Sequence, residues 1–311
     1  MNVFVLVFIL ILIKNCGTSN ISRLEIIDLN NLEGINKAYK KEYKCFFPSD
    51  DSNSKIIHFI ITRFILEFDY LLKFRKIIYK KEYILNGIRC LKKYLLPSLE
   101  YQSCKKFIWI LEIGDKANIE KLKPLLNFNV SFKYKIIFHK HLKKYIRNKS
   151  KYFDILITSR IDYDDIIYFD AVNDVRKAIN NNKPMVLYGY NRGVYHFEND
   201  TKFYEFYQTY NNEGTMSIFN SLITVLKKVN DCYTINDIGG HSVIRKNLIK
   251  SYKSFGIEKL NYEPAIFDSG EAKFIYIRQN FSGTYNNRKE FKKSLKIYNF
   301  NLTKFFGINF N

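Results

Sequence analysis

The sequence predicts an α/β fold: an open, mostly parallel twisted sheet flanked by helices, with a small antiparallel extension. Three observations lead there. From Lys55 onward, short apolar runs of strand length alternate with segments whose apolar residues recur at helical spacing. Hydrophobic residues make up 47% of the 311, enough for one large buried core. The run Ile155-Leu156-Ile157, with the length and branching of a buried strand, leads directly into three carboxylates, Asp162, Asp164 and Asp165.

Taken in order, Ile56 to Phe64 reads as the first strand. Tyr83 to Leu96 carries apolar residues at helical spacing and is expected to stop at Pro97, which lacks a backbone donor. Phe107 to Ile113 reads as a second strand, Ile119 to Leu126 as a short helix, Tyr134 to Phe138 as a third strand and Phe153 to Thr158 as the fourth. Ile167 to Ile179 reads as a helix, and Met185 to Tyr190, introduced by Pro184, as a further strand. Residues 192–232 mix aromatics with turn formers and are expected to form the antiparallel extension. Phe274 to Arg278 is strand-like again. The alternation argues for right-handed crossovers within one sheet. No internal repeat or Pro/Gly/Ser linker divides the chain. The expected organisation is a signal peptide or short membrane anchor over 1–19, a polar lead-in or stem over 20–54, the main domain over 55–290 and a Lys/Asn-rich tail over 291–311.

Fifty Lys and Arg against 30 Asp and Glu give a formal charge of +20. The basic residues are scattered as Lys-Lys pairs, not gathered on a stripe, and RNP, zinc-finger and basic-zipper patterns are missing, so nucleic acid is not the expected partner. A positive surface suits anionic nucleotide sugars or membrane headgroups. Val3 to Ile13 is an unbroken apolar run of eleven residues; at about 1.5 Å per residue it falls short of a hydrocarbon layer of about 30 Å. Its length fits a signal-peptide core, with cleavage expected after Gly17 or Ser19, and an uncleaved anchor is the alternative. Either places the protein in a secretory lumen or at its membrane, in the endoplasmic reticulum or Golgi or outside the cytoplasm. Five cysteines without a CxxC pair argue against a structural zinc site. Sequons at Asn20, Asn129, Asn148, Asn199, Asn280 and Asn301 accord weakly with a glycosylated protein.

The chemistry centres on DILITSRIDYDD, residues 154–165. Strand alternation carried past the apolar run would put Asp162 and Asp164 on one side. Neighbouring acids repel unless a cation sits between them, and hard oxygen ligands suit Mg²⁺ or Mn²⁺. The plain alternative is a solvated acidic turn. Thr62 and Arg63 fall at the carboxyl end of the first strand, the edge where open α/β sheets bind ligands, and Arg63 is a candidate for a phosphate or a pyrimidine carbonyl. A surface ion pair is its plain alternative. His58, Gln102 and Trp109 read as packing residues. Asp115, after the second strand, is a candidate for a base or ribose hydroxyl, although a solvated turn acid is simpler.

HFIITRF, LPSLEYQSCKKFIWI and above all TSRIDYDD followed by PMVLYGY resemble the rhamnosyltransferase family, GT-A-type glycosyltransferases in which a strand ends in a Thr-(Thr/Ser)-Arg-x-Asp-x-Asp-Asp signature. The resemblance spans roughly residues 55 to 285. It implies a GT-A-like sheet, a nucleotide-sugar donor and a divalent cation, Mn²⁺ or Mg²⁺, held by Asp162 and Asp164, with Asp165 and Arg160 orienting the loop or contacting the sugar. The family pattern usually carries a Trp and a His near the C-terminal strand. Here that stretch is FIYIRQNFSGT, in which Arg278 and Gln279 are candidates to replace that His in donor binding; a drifted function is the alternative.

Such a reaction must neutralise a departing diphosphate, for which Arg63, Arg160 and Arg278 are candidates beside the metal. An inverting transfer also needs a carboxylate to take the acceptor's proton. Glu213, in NNEGT, and Asp237, in NDIGGH, are the candidates, with Asp237 favoured because Gly239-Gly240 permits close backbone approach. His241 is a candidate third metal ligand or phosphate contact; packing is its alternative. The expectation is a metal-dependent, inverting glycosyltransferase acting on a glycan, glycoprotein or glycolipid acceptor. The competing class is a non-catalytic transferase fold that binds carbohydrate or a partner. An aspartate-based phosphatase is disfavoured, because its DxD follows the first strand.

Overall fold

The computed structural model describes residues 54–66, 80–190, 192–198, 202–207, 219–229, 231–238, 265–267, 272–278 and 306. The expected leader, all of the stem except Ser54, and all of the tail except Phe306 lie outside them. In chain order the elements are β1 (Ile56–Phe64), α1 (Lys81–Cys90), a π-helical turn (Leu91–Leu95), α2 (Leu96–Glu100), β2 (Ile108–Ile113), α3 (Ile119–Leu122), β3 (Lys133–Phe138), α4 (His139–Ser150), β4 (Ile155–Arg160), β5 (Ile166–Ile167), α5 (Ala171–Lys177), β6 (Met185–Tyr190), β7 (Arg192–Phe197), β8 (Phe203–Tyr207), β9 (Asn220–Val225), two 3₁₀ turns (Leu226–Lys228 and Ile235–Ile238), β10 (Ala265–Phe267) and β11 (Phe274–Arg278).

Seven strands form the main sheet in the order β10-β6-β9-β4-β1-β2-β3. Six run the same way and β9 alone is reversed, antiparallel to both β4 and β6. The mostly parallel α/β sheet expected from the sequence is present. Its central strands are buried along almost their whole length because both faces are covered. On one face Ile60, Trp109, Leu111, Ile136 and Ile157 pack with α1, α2 and α5. On the other, Ile57, Phe59, Ile61, Ile110, Ile137 and Leu156 meet Leu142, Tyr145 and Ile146 of α4 and Ile235.

A second sheet, β5-β11-β7-β8, packs beside the first. The β7–β8 pair is the antiparallel extension foreseen for 192–232, but β9, from the same stretch, joins the main sheet instead. Phe306 is fully buried among Cys90, Tyr94, Ile166 and Ile275, so this residue of the tail belongs to the core.

Three local expectations differ from the structure. The helix does not end at Pro97. The π turn Leu91–Leu95 resets the hydrogen-bond ladder, and Pro97 falls in the first turn of α2, where its missing N–H costs nothing. The helix expected over Ile167 to Ile179 begins only at Ala171, because Ile166 and Ile167 pair with β11. Helix α4 was not foreseen, since HKHLKKYIRNKS offers only Leu142, Tyr145 and Ile146 as an apolar stripe. Buried Gln102, read as packing, bonds the carbonyls of Ser98 and Tyr168 and the amide of Val172, tying α2 to α5. Among the described residues, no helix is long and apolar enough to cross a membrane.

Candidate functional site

Strand alternation sets which side chains reach the carboxyl edge of the sheet. On the face covered by α4, Ile57, Phe59 and Ile61 lead to Arg63; Ile110 leads to Glu112; and Leu156 and Thr158 lead to Arg160. After β1 the chain winds through β2 and β3 on one side, then crosses so that β4 lies on the other side of β1. The gap between β1 and β4 is therefore the switch point, where open α/β sheets take ligands beyond their strand ends.

Asp162 occupies that gap. Its Oδ1 lies 3.8 Å from an Arg63 guanidinium nitrogen and 3.7 Å from Arg160 Nε, so the two strands flanking the switch point each send an arginine to one carboxylate. Arg160 is 5% exposed, and its Nε makes no hydrogen bond. A buried Nε–H without an acceptor is costly, and a guanidinium placed this way suits an anion.

The acids do not continue the strand, which ends at Arg160, so the alternation expected of Asp162 and Asp164 does not apply. They lie in a turn closed by the Asp165 amide on the Asp162 carbonyl at 3.3 Å. Tyr163 anchors the turn, edge-on to Phe64, with its hydroxyl 3.4 Å from that of Tyr83. Asp164 is half-buried, whereas Asp165 is 1% exposed and faces inward, a position suited to holding the turn. Just after β1, Ile65 adopts φ 55°, a conformation costly for a β-branched residue, of the kind that clusters at functional sites.

A second cluster lies one strand away. Glu112, fully buried at the end of β2, receives Asn236 Nδ2 at 3.0 Å and pairs with His139 Nδ1 at 2.5 Å. The Glu112 hydrogen bond holds the His139 imidazole above its usual range, against partial burial. Asp115 Oδ1 accepts from the Lys140 amide at 3.1 Å, so this donor-binding candidate caps α4 beside His139. Glu112, His139 and Asn236 were not singled out from the sequence, although one acid inside the apolar run IWILEI signals a buried carboxylate that needs partners.

Two expected roles meet physical obstacles. Thr62 points to the opposite face, is fully buried and accepts from Trp109 Nε1 at 2.9 Å, so it packs and does not reach a ligand at the edge. Asp237, the favoured base, has both oxygens engaged: Oδ2 accepts from the Thr234 amide and hydroxyl, each at 2.9 Å, and Oδ1 from Lys143 at 3.2 Å. Glu213 and His241 lie outside the described residues, and so does the side chain of Arg278, whose backbone ends β11.

No group of three His, Cys, Asp or Glu side chains is placed to hold a metal among the described residues. The donor set available is Asp162 and Asp164. Asp162 keeps a third of its side chain open to solvent. Two carboxylates fit Mg²⁺ or Mn²⁺, which commonly take one or two and complete their shell with water and substrate phosphate.

The family model described as "Putative rhamnosyl transferase" matches residues 61–224, more than half of the chain, including Arg63, Glu112, Arg160 and the three acids. The chain belongs to that family. A rhamnosyl transferase is a glycosyltransferase, so the family is one of glycosyltransferases. No curated protein matches the chain in sequence. Among solved structures, residues 1–349 of TarS from S. aureus are 13% identical with a TM-score of 0.34, covering 71% of this chain and 60% of that one. The same protein in complex with UDP gives 12% identity and a TM-score of 0.32, over 71% of this chain and 61% of that one. Mouse xyloside xylosyltransferase 1 is 14% identical with a TM-score of 0.27, over 44% and 52%. This chain thus spans about three fifths of that TarS fragment, and likeness at these scores carries no argument about its chemistry.

Proposed function

We propose that the protein transfers a sugar from a nucleoside-diphosphate donor to a hydroxyl of a glycan, glycoprotein or glycolipid. The observation that carries this reading is the convergence of Arg63 and buried Arg160 on Asp162 at the switch point. Two guanidiniums on adjacent strands can each fork onto phosphate oxygens, and their position beyond the strand ends suits a diphosphate. They would bind it in the ground state and hold the charge that grows on it as the glycosidic bond breaks. Asp162 and Asp164 would hold Mn²⁺ or Mg²⁺, which supplies Lewis-acid stabilisation of the same oxygens. Asp165 keeps the turn in shape. An adjacent strand is about 4.8 Å away, so a nucleoside attached to that diphosphate reaches the ends of β2 and β3, where Asp115 and the Glu112–His139 pair lie.

Inversion is the stereochemistry we propose, with Glu213 or Asp237 as base. For Asp237, the Thr234 and Lys143 contacts would first have to open. We keep residues 1–19 as a signal or anchor that brings the enzyme to a secretory lumen or its membrane. The deciding experiment is a thermal-shift panel of UDP, GDP, dTDP and ADP, with and without Mn²⁺. A nucleotide at 100 times its dissociation constant stabilises by about 2.7 kcal/mol. Failure of all four to move the melting temperature would remove the donor reading.

A further inference from the structure

One carboxylate oxygen serves two guanidiniums in the cleft between β1 and β4. The separations of Asp162 Oδ1 from Arg63 and Arg160, 3.8 and 3.7 Å, exceed hydrogen-bond length, so charge rather than directed bonding holds the three groups together. The Arg160 side chain is only 6% exposed, and its Nε lacks an acceptor. A divalent ion on Asp162 in this arrangement would lie beside two positive charges. A diphosphate reverses the balance, because its oxygens offer both guanidiniums bidentate acceptors and add negative charge next to the acids.

Resting on the donor reading above, we propose that Arg63 and Arg160 keep Asp162 closed to a divalent ion until the donor's diphosphate draws their guanidiniums onto its own oxygens. The arginines exchange one acid for another, and the carboxylate released becomes available as a ligand. Metal and nucleotide then bind as a coupled pair, and by linkage each tightens the other by the same factor. Free metal without donor leaves the site arginine-locked, which keeps the cleft ready for an anionic substrate.

The test uses the full chain and follows free Mn²⁺ by its electron paramagnetic resonance signal, alone and with UDP, GDP, dTDP or ADP. The accepted nucleotide should tighten Mn²⁺ binding by about tenfold or more, within the usual 5–150-fold span of site coupling. Arg160→Gln, and separately the less buried Arg63→Gln, should raise Mn²⁺ affinity in the nucleotide-free protein and shrink the coupling. Equal Mn²⁺ affinity with and without a bound nucleotide overturns the lock, as does unchanged nucleotide-free affinity in both Gln variants. A protein that binds none of the four nucleotides under any condition overturns the donor reading, and the lock with it.

Discussion

Arg160 Nε stands 3.7 Å from Asp162 Oδ1, joining the last residue of β4 to the first acid of the turn that follows. The pair is asymmetric. The arginine is almost wholly buried, whereas a third of the aspartate side chain meets solvent. Removing either partner should therefore have opposite effects on stability and the same effect on function. Arg160→Met removes a charge that is costly to bury, while the Asp162 carboxylate left behind is a third exposed and keeps Arg63 beside it. It should leave or raise the melting temperature while nucleotide binding is lost. A large fall in melting temperature would mean that the guanidinium has a structural task, and retained binding would remove it from the donor site.

Asp162→Asn is the converse. It leaves Arg160 buried without its counter-charge, which should destabilise the fold by roughly 1–3 kcal/mol and abolish Mn²⁺-dependent turnover. Asp164→Asn should lose Mn²⁺-dependent turnover as well, since it removes the second carboxylate of the turn. Donor turnover surviving in the Asp162 variant would take the carboxylate out of the metal's shell.

Two histidines should respond to acid in opposite directions. His58 is fully buried on β1, with Nε2 2.7 Å from Ser159 Oγ, which is in turn 2.6 Å from Ser221 Oγ. Burial, and secondarily the Arg176 charge, push its pKa down to about 3. The unfolded chain therefore binds a proton near pH 6.5 that the folded protein refuses. Stability is complete above that value and falls as pH drops towards 3, by on the order of 2 kcal/mol at pH 5. His58→Gln should flatten the stability profile between pH 6.5 and 5. A variant profile as steep as the parent's would place the acid sensitivity elsewhere.

His139 carries the other sign. Glu112 holds its pKa above the usual value, so its contribution is complete below about pH 6.5 and disappears as pH rises through the higher folded-state value. The imidazole is largely exposed, so solvent screening keeps the effect small. Proton NMR gives the direct measurement: the ring of His139 should titrate above 6.5 in the parent and at an ordinary value in Glu112→Gln.

Much of this was legible in the sequence, for a physical reason. Strands buried on both faces are written as mainly apolar runs, so β1 and β6 were placed to the residue. The site was legible where charge interrupts such a run: Arg63, Arg160 and the acids all follow apolar stretches. What stayed hidden depends on contacts distant in sequence. Nothing local says that Ile166-Ile167 will pair with Phe274-Ile275 rather than start a helix, that Asn220 to Val225 will enter the main sheet, or that His139 will find Glu112. Thr62 shows the limit of edge reasoning, since one step of alternation sends its hydroxyl under the sheet to Trp109.

The pairing of β5 with β11 links the second sheet to the acids, because β5 begins directly after Asp165. Strand β11 is also held by β7, where Gly193 lies against the fully buried ring of Phe274 so closely that an added Cβ would overlap its edge. Gly193→Ala should therefore displace Phe274, and with it Ile166, Ile167 and the turn of acids. The expected stability loss is about 1–3 kcal/mol, the range for overpacking a close-packed core. A parallel weakening of nucleotide affinity is expected, although Gly193 touches no candidate ligand group. Gly193→Ala combined with Phe274→Leu should recover part of both losses, since the smaller side chain vacates the space the methyl group needs. Recovery of stability without recovery of nucleotide binding would show that the second sheet does not set the position of the acids.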